Sequence, residues 1–167
     1  ERRLPYATPF KVTVPAGTRA LDGTALEKDF VWSFETMRPR LVKHFPQDGQ
    51  KFLKLDTRPL LVFNQPVDKG RAKGRVSLIG SDDRGREKNW DVRLSRPSAE
   101  FLEQEGLEIL PEFALLLEPR PALEIEMSYE VRIEPGFVPK EGPLGLEEAQ
   151  AFRFETYRTF AFAGLAK

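Results

Sequence analysis

The chain has 167 residues, 40% hydrophobic and 31% charged, enough apolar side chain for a globular core and a poor fit to wholesale disorder. Lys and Arg together number 26, as do Asp and Glu, so the formal net charge is zero and nothing pulls the chain as a whole toward nucleic acid or an anionic membrane. Cysteine is absent and there is one histidine, which excludes disulfides, thiolate metal sites, a cysteine nucleophile and a multi-histidine metal site within the chain.

The chain opens Glu1-Arg2-Arg3 with neither an initiator Met nor an apolar leader, as expected of a processed product or an excerpt. No apolar run approaches the roughly 20 residues that span a bilayer. Phe10, Val12 and Val14 alternate with polar residues, as do Phe30, Trp32 and Phe34, and a period of two predicts half-buried strands. His44 falls in Leu-Val-Lys-His-Phe-Pro, a candidate first strand. A catalytic histidine needs a positioned carboxylate and a nucleophile, and no Gly-x-Ser-x-Gly element is present, so His44 reads as a surface or interface residue. Leu60 to Phe63 is continuously apolar, the pattern of a central strand covered on both sides. Pro66 then ends or bulges the strand, and Asn64 and Gln65 satisfy freed backbone groups at a corner.

Lys69 to Arg75 carries four cations and two glycines without interleaved aromatics, so it reads as a solvated hairpin loop rather than a nucleic-acid site. Ser81, Asp82, Asp83 and Gly85 form an acidic turn whose spacing fails that of a calcium loop and which Arg84 and Arg86 oppose. Trp90, Val92 and Leu94 alternate as a strand, and core packing is expected of both Trp32 and Trp90. Ser98 can cap a short helix over Ala99 to Glu105 that Gly106 stops. Glu100, Glu103, Glu105, Glu108 and Glu112 mark a solvated face, with no sign that two of them converge for glycoside chemistry. Phe113 to Leu117 is a second central strand, and Tyr129, Val131 and Ile133 alternate again.

The most informative feature is a repeat. Phe10, Val12, Val14, Gly17 and Gly23 match Tyr129, Val131, Ile133, Gly136 and Gly142 at an offset of 119 (129−10). Trp32, Phe34, Glu35 and Thr36 match Phe152, Phe154, Glu155 and Thr156 at an offset of 120 (156−36), so one residue is inserted in the loop between the blocks. The pattern predicts an all-β protein, an Ig-like antiparallel β-sandwich with one short helix near 98–105. Residues 1–37 are then the last two strands of a preceding module, 38–157 a complete module and 158–167 the first strand of a following one. Two strands alone do not make a stable sandwich. The first two must therefore dock on the whole module, extending its sheet or packing on its face, or pair with a second copy in a strand-exchanged homodimer. The junction Thr36-Met37-Arg38-Pro39 has no Gly/Ser linker, so adjacent modules should hold a limited range of angles.

Four stretches carry a family resemblance: Phe34–Pro39 with Phe154–Thr159, Leu61–Asp68, the Phe10 strand with Gly23, and the Tyr129 strand with Gly142. Together they resemble the Ig-like, macroglobulin-type modules in the N-terminal half of bacterial alpha-2-macroglobulins. The resemblance implies a large secreted, multidomain inhibitor of endopeptidases, in the periplasm, the cell envelope or outside the cell. In that family a protease cuts an exposed bait segment and the molecule rearranges to trap it, many members adding a Cys-Glu-x-Gln thioester. Without cysteine the chain carries no thioester, and no bait is recognisable, so its expected part is non-enzymatic scaffold. The expected partners are neighbouring modules of the same parent chain and, through the whole protein, target proteases, with no nucleic acid and no membrane insertion. No catalytic, cofactor-binding or metal-ligating residue is assigned, and no cofactor. A whole module of about 120 residues exceeds the roughly 100 of a typical Ig domain, and the helix accounts for the excess. The alternative is an Ig-like stalk module of a bacterial adhesin or cell-wall surface protein. A carbohydrate-binding module is a third reading that needs an exposed aromatic platform.

Overall fold

The computed structural model describes residues 3–159. It opens with β1 (Pro9–Val14) and β2 (Phe30–Glu35), an antiparallel pair that forms a two-stranded sheet of its own. The remaining strands are β3 (Leu41–Phe45), β4 (Gln50–Leu53), β5 (Leu60–Phe63), β6 (Val76–Ser81), β7 (Glu87–Ser95), β8 (Ala114–Arg120), β9 (Ser128–Ile133) and β10 (Gln150–Thr156). They pair in the order β3-β5-β8-β7-β6-β9-β10-β4, every pair antiparallel except β10 with β4.

This ribbon curls into an all-β, Ig-like sandwich because one strand serves both layers and the chain passes from one layer to the other at the opposite side. The nine residues of β7 pair with β6 as far as Trp90 and with β8 from Asp91 onward. At the opposite side β3 and β4 are consecutive in sequence yet sit at the two ends of the ribbon. The layers enclose one core in which Leu61, Phe63, Leu78, Leu115, Leu117, Tyr129, Val131, Ile133 and Phe154 are at most 2% exposed. Each such side chain contributes about 1.5–3 kcal/mol through its removal from water.

The continuous apolar runs have a direct explanation. Leu61 and Phe63 face the sandwich core, while Leu60 and Val62 face the other way into a second cluster with Ala114, Leu116 and Leu102. Leu102 comes from α2 (Ala99–Gln104), whose start is capped by Ser98 accepting from the Phe101 amide at 3.1 Å. Gly106, at φ 68°, ends it, and the Leu107 amide turns back to the Leu102 carbonyl at 2.8 Å. The helix lies where the sequence places it and lids β5 and β8.

The cationic stretch departs from expectation. Instead of a solvated hairpin loop it begins with one helical turn, α1 (Lys69–Ala72), because the Asp68 carboxylate caps the amides of Gly70 at 2.8 Å and Arg71 at 3.0 Å. Ala72 is fully buried. Arg71 and Arg75 donate to the carbonyls of Pro139 and Pro135, pinning the loop between β9 and β10.

Candidate functional site

The two-stranded sheet neither extends the sandwich nor lies on its face, as the sequence suggested. It stands on the sandwich by its base, and this junction is where widely separated residues converge. Arg3 donates both terminal nitrogens to the Glu141 carboxylate, at 2.8 and 2.7 Å, and the Tyr6 amide adds a third bond at 3.0 Å. These bonds, the Arg3 pair foremost, hold the Glu141 carboxyl down to about 2. The Leu144 amide donates to the Ala7 carbonyl at 2.9 Å. Gly142, at φ 67°, lies so close to the Tyr6 and Ala7 carbonyls that any Cβ there would overlap them.

The corner after β5 completes the contact. Asn64 donates to the Arg38 carbonyl and accepts from the Arg40 amide, both at 2.9 Å. Gln65, fully buried, donates to the Met37 carbonyl at 3.1 Å, and its Oε1 has no donor among the described residues. Arg38 reaches Glu147 at 3.3 Å. Asn64 and Gln65 thus form the structural corner the sequence indicates, with the added task of fixing the segment that enters the sandwich.

The repeat holds at the level of individual bonds. Phe10 pairs with Phe34 and Val12 with Trp32, as Tyr129 pairs with Phe154 and Val131 with Phe152. The aromatic stacks agree, with centroids 5.3 Å apart at 18° for Phe10–Phe34 and 5.4 Å apart at 21° for Tyr129–Phe154. Gly17 donates to the Leu26 carbonyl as Gly136 does to that of Leu146, both at 2.8 Å. Ala7 and Glu126, equivalent by the 119 offset, both have left-handed backbones, at φ 50° and 60°.

One difference divides the copies. Tyr129, Val131, Phe152 and Phe154 are core, whereas Phe30, Trp32 and Phe34 are 58%, 41% and 40% exposed. Trp32 therefore does not pack in a core within the described residues, contrary to expectation. Trp90 does: it is 5% exposed, meets Tyr129 edge-on at 5.2 Å and donates its indole N–H to the Pro121 carbonyl at 2.9 Å.

The other singled-out residues are occupied structurally. His44 lies on β3, stacked on Phe152 with centroids 3.9 Å apart, its Nδ1 against the Pro46 carbonyl at 2.7 Å. Asp82 closes its turn by accepting from the Arg84 and Arg86 amides and the Arg86 side chain. Glu100, Glu103 and Glu105 are exposed on and beside α2. Among the described residues no group of acids and histidine is placed to hold a metal ion, and no helix is long and apolar enough to cross a membrane. A depression of about 450 Å³ between α1 and β7 is lined by Lys69, Lys73, Arg93 and Arg120, open to solvent.

Sequence reading found the repeat but missed the junction. Arg3 and Glu141 are 138 residues apart, with no local pattern to link them. Ala7 and Glu126 give no residue-type signal for a left-handed backbone, which glycine would have given.

No protein-family model matches the chain. It is 25% identical over 171 aligned residues to an alpha-2-macroglobulin homolog of Nostoc sp., a match that takes in 97% of this chain and 9% of the length of that relative. Among solved structures it is similar to the N-terminal part of the bacterial S-layer protein SbsC, at 16% identity and a TM-score of 0.42 over 75% of this chain and 24% of that one. The chain thus bears a family resemblance to a bacterial alpha-2-macroglobulin homolog and has an Ig-like β-sandwich fold.

Proposed function

We propose that the chain is a non-enzymatic scaffold segment of a large bacterial endopeptidase inhibitor of the alpha-2-macroglobulin kind, acting in the periplasm or cell envelope or outside the cell. The observation that carries this is the joint one of alignment and repeat. Nearly the whole chain aligns with a small part of a much longer relative of that name. Within it, one strand pair recurs bond for bond, once with its apolar face covered and once without. A string of modules cut within one of them gives both features.

On this reading residues 1–37 close a preceding module, 38–157 are a whole module, and 158–167 begin the next, most of that last stretch lying outside the described residues. The uncovered face of Phe10, Val12, Val14, Phe30, Trp32 and Phe34 would be covered in the parent protein by the earlier strands of the preceding module, as β5, β7 and β8 cover the face of β9 and β10. Cut off from them, it is also the face through which the fragment would form a strand-exchanged homodimer. Bait and any thioester lie elsewhere in the parent protein, and the protease meets that protein, not this segment. The short junction, clamped by Arg3–Glu141 and the Asn64-Gln65 corner, transmits orientation between modules.

The test is protease trapping by the whole parent protein. After one cut by an endopeptidase, the enzyme should keep its activity on a small peptide substrate and lose it on a large protein substrate, while residues 1–167 alone inhibit nothing. Undiminished activity on the large substrate would overturn the reading.

A further inference from the structure

The repeated corner has a docked copy and an undocked one. In the docked copy, the backbone of Tyr6 and Ala7 and the Met37 carbonyl meet the Glu141–Leu144 turn and Gln65. Their equivalents by the same offsets are Ile125, Glu126 and Tyr157. The internal bonds match: Glu126 donates to the Tyr157 carbonyl at 2.8 Å as Ala7 does to that of Met37 at 3.0 Å. Thr156 spans the second corner as Thr36 spans the first. What differs is cover. Ala7 is fully buried, whereas Glu126 is exposed and Ile125 is 49% exposed. Among the described residues the Ile125 amide has no acceptor and the Glu126 carbonyl no donor.

We propose that the surface of Ile125, Glu126 and Tyr157 receives a following β-sandwich module of this same kind, in the geometry by which residues 6, 7 and 37 meet residues 65 and 141–144. The inference rests on the tandem-module reading and adds to it a specific contact face. The occupant is set by the observed junction. It presents a glycine turn, whose missing Cβ lets two backbones meet, and a side-chain amide for the Tyr157 carbonyl. A side-chain carboxylate of its turn accepts from the Ile125 amide, and a backbone amide of the turn donates to the Glu126 carbonyl. The side chains modify the contact. Arg3 becomes Ala122, so the partner's acid loses its cation and keeps the bond from the Ile125 amide, as Glu141 takes that of Tyr6, and Ile125 in place of Tyr6 asks for an apolar neighbour. Glu126 already accepts from the Thr159 amide at 3.0 Å, and that bond holds its carboxyl below the usual range.

Amide hydrogen exchange read residue by residue tests this, comparing residues 1–167 with the parent protein carried through the next module. The Ile125 amide should exchange at least tenfold more slowly in the longer protein, while the already docked Tyr6 amide changes little. If the residues after 167 fold as such a module and Ile125 exchanges as fast as before, the docking geometry is wrong and the tandem reading stands. If those residues form no such module, both fall.

Discussion

Thr36 and Thr156 hold the same place in two copies of one corner. Each hydroxyl donates to a backbone carbonyl, of Pro5 and of Glu124 respectively, at 2.7 Å in both. Each also accepts a backbone amide, that of Thr8 at 2.9 Å and that of Met127 at 3.2 Å. The hydroxyl therefore ties the chain before one strand to the end of its partner, and fixes where each strand pair begins.

Thr156 is 1% exposed, so water cannot replace its bonds. Thr156→Val keeps the shape and leaves a carbonyl and an amide unpaired, which should cost about 2 kcal/mol. Thr36 is half-buried, and Thr36→Val should cost under about 1 kcal/mol, solvent replacing what is lost. Urea denaturation of the two variants checks the contrast. Equal losses would contradict it.

Gly23 and Gly142 are equivalent in sequence and differ in surroundings. Both have left-handed backbones, but a Cβ on Gly23 meets nothing within 4 Å, whereas one on Gly142 overlaps the backbone of Tyr6 and Ala7. Gly23→Ala should cost about 1 kcal/mol locally and leave the junction intact. Gly142→Ala should lift the base of the two-stranded sheet off the sandwich. Exchange of the Leu144 amide, which donates to Ala7, should accelerate only in the second variant.

The junction should be acid-sensitive. The Glu141 carboxyl sits at about 2, below its ordinary 4.5, chiefly because of the Arg3 pair. A carboxylate depressed on folding contributes stability above its unfolded value, here lost as pH falls from about 4.5 to about 2. The Tyr6 amide, bonded to that carboxylate, should report a midpoint near 2 in an NMR pH titration. Glu141→Gln should abolish the transition, and a midpoint near 4.5 would show the pair unformed.

The opposite sign holds at Tyr129, which is fully buried and whose hydroxyl accepts from the Glu124 amide at 2.8 Å. Burial raises its phenol from 10 to about 12. The protein prefers the neutral form, so stability is full below pH 10 and declines as pH climbs toward 12. Tyr129→Phe should remove that alkaline decline and cost about 1 kcal/mol at neutral pH for the lost bond. Phenolate absorbance against pH, with urea melts at pH 7 and 11, measures both.

Most of the strands, the helix and the repeat were legible because each rests on local pattern, whereas β4 and β6 went unread. Alternation marked β1, β2, β7 and β9, continuous apolar runs marked β5 and β8, and Ser98 with Gly106 bounded α2. Most misreadings came where distant groups decide. Trp32 has the same alternation as Trp90, and nothing near it in sequence says whether a second layer covers it. At Lys69 to Arg75 the Asp68 cap on Gly70 and Arg71 is local and was overlooked, whereas the Arg71 bond to the Pro139 carbonyl depends on a distant segment. The base-on docking of the first strand pair depends on Arg3, Gly142 and Gln65, which no short window contains.

Oxidative footprinting of Trp32, with Trp90 as the buried internal standard, tests the central claim most directly. In residues 1–167, Trp32 is 41% exposed and Trp90 5%, so Trp32 should label far faster. In the parent protein extended upstream through the preceding module, the tandem account requires the Trp32 rate to fall to that of Trp90. A Trp32 that labels equally fast in both would contradict it, leaving β1 and β2 a freestanding hairpin rather than the closing strands of another sandwich.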